Sequence, residues 1–177
     1  MQSDTELMQR IANGDKAAFT VLMRRYLAGV VNFNKQYLTE DAEDISQEAF
    51  IRLWNKAPEW QDKGVSPKAW LLRVSYNLCI DSLRKQKTVT LDTQENTITD
   101  SLITEETAYL ARADFQQQIQ ALKDLPERQC SAITLCAYNG LNNTEAAKVL
   151  NISVDALESL LARGRRTLRR KLNKPKA

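Results

Sequence analysis

Histidine is absent from the 177 residues, which removes both the commonest general base near neutral pH and the commonest zinc ligand. Cys79, Cys130 and Cys136 form neither an even disulfide framework nor a CxxC pair. They read as small core residues of a reducing compartment, and neither a metal site nor a cofactor is expected. Only five glycines and four prolines punctuate the chain. No phosphate-cradling glycine loop can be drawn from them, no GxSxG elbow occurs, and no carboxylate pair stands isolated in an apolar setting. No catalytic residue is therefore assigned, and neither an enzyme nor a small-molecule substrate is expected. Long apolar runs are also missing: none approaches the roughly 20 residues a membrane helix needs. The opening MQSDTELMQR is too polar for a signal peptide. The expected setting is the cytoplasm, with no direct membrane insertion.

What fills the sequence is Leu, Ala, Gln, Glu, Lys and Arg, which favour helix, and 43% apolar residues suffice for packed cores. An all-α chain of two small helical domains is expected. The net charge of +3 conceals a strong asymmetry. Residues 1–88 carry 13 basic and 11 acidic groups, residues 89–110 carry no basic and 5 acidic, and residues 111–177 carry 12 basic and 6 acidic. Between Arg163 and Lys176 stand eight basic residues and no acid. Such an end points to phosphate-bearing partners, most often nucleic acid.

Helical punctuation divides the first part. Ser3 or Asp4 caps a short helix that stops at Gly14, with Leu7, Met8 and Ile11 on one face. In DKAAFTVLMRRYLAGVVNF the apolar positions Phe19, Leu22, Met23, Tyr26, Leu27, Val30 and Val31 recur at three and four, leaving Arg24 and Arg25 toward solvent. Thr39 is the expected N-cap of EDAEDISQEAFIRLW, whose inward stripe is Ala42, Ile45, Ala49 and Leu53, with Trp54 at its edge. Asp44, Gln47, Glu48 and Arg52 then share another face. Ser66 followed by Pro67 is a cap with proline at the first helical position, opening a helix to about Lys85 with Trp70, Leu71, Val74 and Leu78 as its core stripe. Trp60 lies in a polar loop without a periodic partner, a setting that suits base stacking.

From Thr88 to about Thr104 the periodicity disappears into TVTLDTQENTITDSLITEET, too long for a connection inside a compact domain. The domain boundary belongs there: 1–88, a linker at 89–107, and 108–177. The second domain opens with a helix through AYLARADFQQQIQALKDL. Leu125 and Pro126 start another, which Gly140 ends. Asn142 caps a helix to Leu150, Asn151 can take the left-handed conformation of a tight turn, and Ser153 caps the last helix. This is the spacing of a helix-turn-helix. Val154, Leu157, Leu161, Gly164, Leu168 and Leu172 face inward, while Asp155, Glu158, Ser159, Ala162, Arg163, Arg166 and Arg170 are thrown outward. In such a motif the early outward residues meet base edges and the later basic ones neutralise phosphates.

Two stretches carry a resemblance. GDKAAFTVLMRRY, DAEDISQEAFIRLW and KAWLLRVSYNLCIDSLRK resemble the second conserved region of bacterial sigma factors; LPERQCSAITLCAYNGLNNTEAAKVLNISVDALESLLARGRRTLRRKL resembles the fourth. With only a short linker between them, the chain resembles the extracytoplasmic-function (ECF) group. The resemblance implies a subunit that binds core RNA polymerase, at the beta-prime clamp helices and the beta flap, and directs it to promoter DNA. It implies an anti-sigma protein as inhibitor. The pattern D-x-x-Q-E-x-F, here Asp44, Gln47, Glu48 and Phe50, corresponds to the clamp-gripping surface, joined by Arg52. Phe50 itself is expected in the core.

For the minus-ten element the resemblance implicates Trp60, Lys68 and Asn77 in a pocket for a flipped base, with Arg73, Arg84 and Lys85 as phosphate partners. For the minus-thirty-five element it implicates Asp155, Glu158, Ser159, Ala162, Arg163, Arg165, Arg166 and Arg170. Asp155, Ala156 and Glu158 replace the small pair and basic residue of many relatives, and Leu160 stands where an arginine is frequent. That departure points to a different promoter sequence or to weaker reliance on this domain. The acidic linker, by the same resemblance, threads near the active-centre cleft or RNA exit path; a solvated spacer explains its composition equally. A stand-alone helix-turn-helix regulator would account for residues 125–172 alone, and a protein-binding helical adaptor would leave the basic end idle.

Overall fold

The computed structural model describes residues 2–61, 64–89 and 120–172; these are helical, with no strand among them. Helix α1 (Asp4–Ala12) begins with a reciprocal cap in which the Ser3 hydroxyl accepts from the Glu6 N–H while the Glu6 carboxylate accepts from the Ser3 N–H. It buries Leu7, Met8 and Ile11, as its spacing predicts. Gly14, at φ +80, makes the turn, and Asp15 caps α2 (Lys16–Asn34) by accepting from the Ala17 and Ala18 N–H groups.

Along α2, Leu22, Val30 and Phe33 are fully covered, but Leu27 is 37% exposed. Arg25 also departs from its expected solvent position. It is half-buried and pairs with Asp4, which also accepts from the Tyr26 hydroxyl. The start of α1 is thereby tied to the middle of α2.

Helix α3 (Ala42–Lys56) has Asp41, not Thr39, at its N-cap, and no side chain caps it. Glu43 and Asp44 in its first turn complement the positive end of the helix instead. A 3-10 turn at Ala57–Glu59 accommodates Pro58. In α4 (Pro67–Val89) the Ser66 hydroxyl accepts from the Ala69 N–H at 3.2 Å. The covered line of α4 lies beside the predicted one: Leu71 is buried as expected, but its companions are Leu72, Ser75 and Cys79, while Trp70, Val74 and Leu78 are only partly buried.

Helices α2, α3 and α4 pack on one another, and α1 closes the end of the group. Inside it the buried Asn34 amide donates to Ser46 Oγ at 2.9 Å, and Ser46 donates to the Ala42 carbonyl at 2.6 Å. The Cys79 thiol donates to Asn34 Oδ1 at 3.7 Å. Every member has a partner, so the network fixes helix register without leaving an orphaned amide.

The linker expected at 89–107 begins inside α4, which runs on through Val89 and so past the expected end at about Lys85; the linker's remaining residues, 90–107, fall outside the described residues, as do most of the helix expected through AYLARADFQQQIQALKDL and residues 173–177. A helical turn at 120–123 leads to α5 (Glu127–Ile133), which continues into a π-helical turn at Thr134–Tyr138. Gly140, at φ +65, ends it. Helix α6 (Asn143–Leu150) repeats the reciprocal cap with Asn142 and Glu145, and Asn151 takes the left-handed conformation at φ 54. Helix α7 (Val154–Leu172) follows, with the Ser153 hydroxyl accepting from the Ala156 N–H at 3.2 Å. Leu157, Leu161 and Gly164 face α5 and α6, while Val154 and Leu172 lie at the rim, each 37% exposed.

Candidate nucleic-acid and protein interfaces

The polar face of α3 is built by its own apolar stripe. With Ala42, Ile45, Ala49, Phe50 and Leu53 turned into the core, the positions between them must face out. Asp44, Gln47 and Arg52 are exposed and Glu48 is half-buried. Arg52 Nε donates to Glu48 Oε1 at 2.7 Å, so these two side chains hold each other. Ile51, 54% exposed beside them, escapes a reading that looks only for polar residues. Its signal is an apolar side chain one step off the inward stripe.

The minus-ten candidates spread along the loop before α4 and along α4 itself. Trp60 does have a partner: it packs edge-on against Trp70, with ring centroids 6.1 Å apart at 76°. Arg73, Asn77, Arg84 and Lys85 are exposed along α4. Lys68 is different. Its ammonium donates to the Asn139 carbonyl and lies 5.8 Å from the centroid of the Tyr26 ring. Burial pulls its pKa below the ordinary lysine value, against the opposing pull of Glu145 and Asp4.

On α7 every minus-thirty-five candidate is exposed: Asp155, Glu158, Ser159, Ala162, Arg163, Arg165, Arg166 and Arg170. Ala162, Arg165, Arg166 and Arg169 line a shallow open depression. Glu158 Oε1 accepts from the Asn143 amide at 3.2 Å, which steadies that carboxylate from the N-terminus of α6. Asn143, which belongs to the preceding helix, and Arg169, which stands between the named Arg166 and Arg170, lie outside the set the sequence reading assigned. The candidate sets thus lie on three separate surfaces: the outer face of α3, the loop and helix of α4, and the outer face of α7.

Two family profiles match the chain in order. Sigma-70 region 2 covers residues 22–89, and sigma-70 region 4 covers residues 116–168. The ECF RNA polymerase sigma factor SigW of Bacillus subtilis (strain 168) is 28% identical over 178 residues, covering 93% of this chain and 94% of its own. The ECF RNA polymerase sigma factor SigM of Mycobacterium tuberculosis (strain ATCC 25618 / H37Rv) is 29% identical, covering 97% of this chain and 85% of its own. The chain belongs to the ECF group of RNA polymerase sigma factors.

Solved sigma-factor folds agree with the helical arrangement. CnrH, solved in complex with the cytosolic domain of CnrY, superposes with a TM-score of 0.68 at 23% identity, over 99% of this chain and 100% of its own. The sigma factor RpoE of Bartonella quintana, solved with the anti-sigma factor NepR, gives 0.68 at 22% identity, over 89% of this chain and 98% of its own. The ECF sigma factor described here is a transcription initiation factor, and regions 2 and 4 are the parts through which sigma factors engage core RNA polymerase and promoter DNA. Among the described residues no helix is long and apolar enough to cross a membrane. Nor does any group of three or more cysteine, aspartate or glutamate side chains there assemble a metal site.

Proposed function

We propose that residues 1–88 grip the polymerase clamp and open the minus-ten element, that 89–107 act as the linker, and that 108–177 dock at the minus-thirty-five element. On this reading Asp44, Gln47, Glu48 and Arg52 form the core-binding surface. Their carboxylates and amides, exposed on one helix face, suit arginines and polar groups of a partner helix. Trp60, Lys68, Arg73, Asn77, Arg84 and Lys85 serve the melted strand. Asn77 supplies both a donor and an acceptor for a base edge, and the Trp60–Trp70 contact supplies an aromatic wall. Asp155, Glu158, Ser159 and Ala162 face the major groove first, with Arg163, Arg165, Arg166 and Arg170 following toward phosphates.

The carrying observation is the ordered pair: a region 2 helix with a polar outward face, followed by a region 4 helix-turn-helix whose last helix exposes its arginines. The chain catalyses no reaction on this reading; it selects where the polymerase starts. It works in the cytoplasm, and an anti-sigma protein holds it inactive, a partnership supported by the likeness to RpoE in its complex with NepR.

Run-off transcription tests the reading. Purified core polymerase on fragmented genomic DNA, with and without this chain, should yield transcripts with defined 5′ ends only when the chain is present. Site-specific DNA binding that ignores core polymerase, with no such transcripts, would make it a stand-alone regulator instead.

A further inference from the structure

The helix-turn-helix contains a polar bridge that its apolar packing does not require. Asn142 and Asn143 are adjacent, but only Asn142 serves the helix end: its Oδ1 accepts from the Glu145 N–H at 2.9 Å, and its own N–H donates to Glu145 Oε2 at 3.3 Å. Asn143, the first residue of α6, takes no part in that cap. Asparagine is a poor helix former because its amide competes for backbone groups, and an acid in the first turn would suit the helix dipole better. Its side chain is turned across the motif instead, to Glu158 on α7, 15 positions away.

The amide is oriented from both ends. Its Nδ2 donates to Glu158 Oε1 at 3.2 Å, and its Oδ1 accepts from the Cys136 thiol at 4.0 Å. Burial pushes that thiol's pKa up, against the opposing pull of Arg165, so the donor proton stays in place at neutral pH. Exchanging the two ends of the amide would set an oxygen against a carboxylate, which only accepts. Asn143 is half-buried, whereas Glu158 is exposed on the outer face of α7. An exposed glutamate left to itself samples many rotamers, and fixing it is a cost of any complex that uses it. Here an anchored donor engages one acceptor site of the carboxylate, and this is the one hydrogen bond of Glu158 among the described residues. The other acceptor sites of the two oxygens stay available.

We propose that Asn143 is a positioning residue for base reading: it holds the Glu158 carboxylate in place to accept from a cytosine N4 amine in the major groove. The inference rests on the reading that Glu158 faces promoter DNA at the minus-thirty-five element. An ionised carboxylate is an acceptor only, so it complements the cytosine amine and is opposed by the acceptors O6 and N7 of guanine and O4 of thymine. Its charge also repels the phosphates. A glutamate that swings toward the DNA backbone therefore loses its base contact and meets like charge together. The donor on α6 limits that swing.

Selection from random duplexes tests it. Holoenzyme assembled from core polymerase and the full-length chain is incubated with a library of random-sequence duplexes, and the retained DNA is sequenced. Wild type should enrich cytosine at one position of its minus-thirty-five motif, and Glu158→Ala should abolish that enrichment. Asn143→Asp has nearly the same shape, adds an acid that suits the helix dipole and sets a second carboxylate opposite the first, so the effects on stability oppose each other and thermal unfolding should stay near wild type. The cytosine enrichment should fall about threefold to tenfold, the factor that corresponds to ordering one rotamer-rich side chain. On the Glu158→Ala background the same substitution should change nothing further. If Asn143→Asp lowers the unfolding temperature, Asn143→Leu, similar in branching and without the donor, decides by the same selection. Unaltered cytosine enrichment in the Asn143 variants, or an equal loss at every position of the motif, overturns the inference. A wild type that selects a motif in which Glu158→Ala changes nothing overturns base reading by Glu158 and this inference with it, whereas a wild type that selects no motif at all sinks the promoter-specificity reading itself.

Discussion

Glu48 and Arg52 stand one turn apart on α3 with about half of each side chain exposed, and their 2.7 Å ion pair is worth only a few tenths of a kcal/mol to the fold. Reversing the charge should therefore leave the helix bundle standing. Glu48→Lys places two cations at i and i+4, a cost of similar size, whereas opposite a basic partner helix it replaces attraction by repulsion. The expected result is unchanged thermal unfolding with core polymerase binding weakened about tenfold or more, about 1.4 kcal/mol. Titration of labelled chain against core enzyme measures it, and an unchanged affinity removes Glu48 from the interface. Arg163, exposed at the middle of α7, makes a second prediction. Arg163→Ala should cost about 1–3 kcal/mol on the preferred promoter and relax the preference at one base pair, read by competition among single-base promoter variants. A uniform loss across all variants, with the salt slope reduced by about 1, would identify a phosphate contact instead.

At the scale of elements, α7 depends on a close approach. A Cβ at Gly164 would lie 2.6 Å from Ile133 Cδ1, and Ile133 is buried in α5. Gly164→Ala gains helix propensity while displacing that one side chain, and the two effects should nearly cancel. Gly164→Val forces more volume into the same place and should destabilise the second half by about 1–3 kcal/mol in urea unfolding. Helix α4 makes a pH prediction through Cys79, whose thiol burial pushes up to about 12. The neutral thiol is the form the fold prefers, so its contribution is fully present below the ordinary thiol value and declines as pH rises from about 9 toward 12. Cys79→Ala should flatten that alkaline limb of the stability curve. In the native chain at neutral pH the half-buried Cys136 should react with a thiol reagent well before Cys79.

The elements themselves are largely legible in the residues. Ser3, Asn142 and Ser153 each cap a helix because a short acceptor precedes an apolar period, and Asn151 takes its left-handed turn because Asn tolerates it. Thr39 fails as a cap although its residue type is suitable. Leu38 is buried just before it and Asp41 accepts from the Gln86 amide of α4 at 3.4 Å, and α3 starts two residues later, after Asp41. On α4 the same limitation appears as rotation: two neighbouring stripes, one through Leu71 and Val74 and one through Leu72, Ser75 and Cys79, compete on spacing alone. Leu71 of the first stripe and all of the second are buried, and within the second the Cys79 thiol finds an acceptor in Asn34 across the core.

For the whole molecule, the exposed arginine face of α7 and the polar face of α3 follow from helical period alone. The contacts between halves do not, since Tyr37 and Ser131, or Lys68 and Asn139, are separated by more than 70 positions and bear no local signal. Gly29, where a Cβ would lie 2.8 Å from Asn139 Oδ1, is the one local trace of that contact, legible only once its neighbour is known. Trp54, Trp60 and Trp70 are the only tryptophans, and all of them sit before residue 89. Indole emission is therefore a private reporter of the first half, while far-ultraviolet dichroism counts helix in both. Followed together during urea denaturation, the two signals should fall on one curve if the contacts between the halves make them cooperate, and should separate once those contacts are removed.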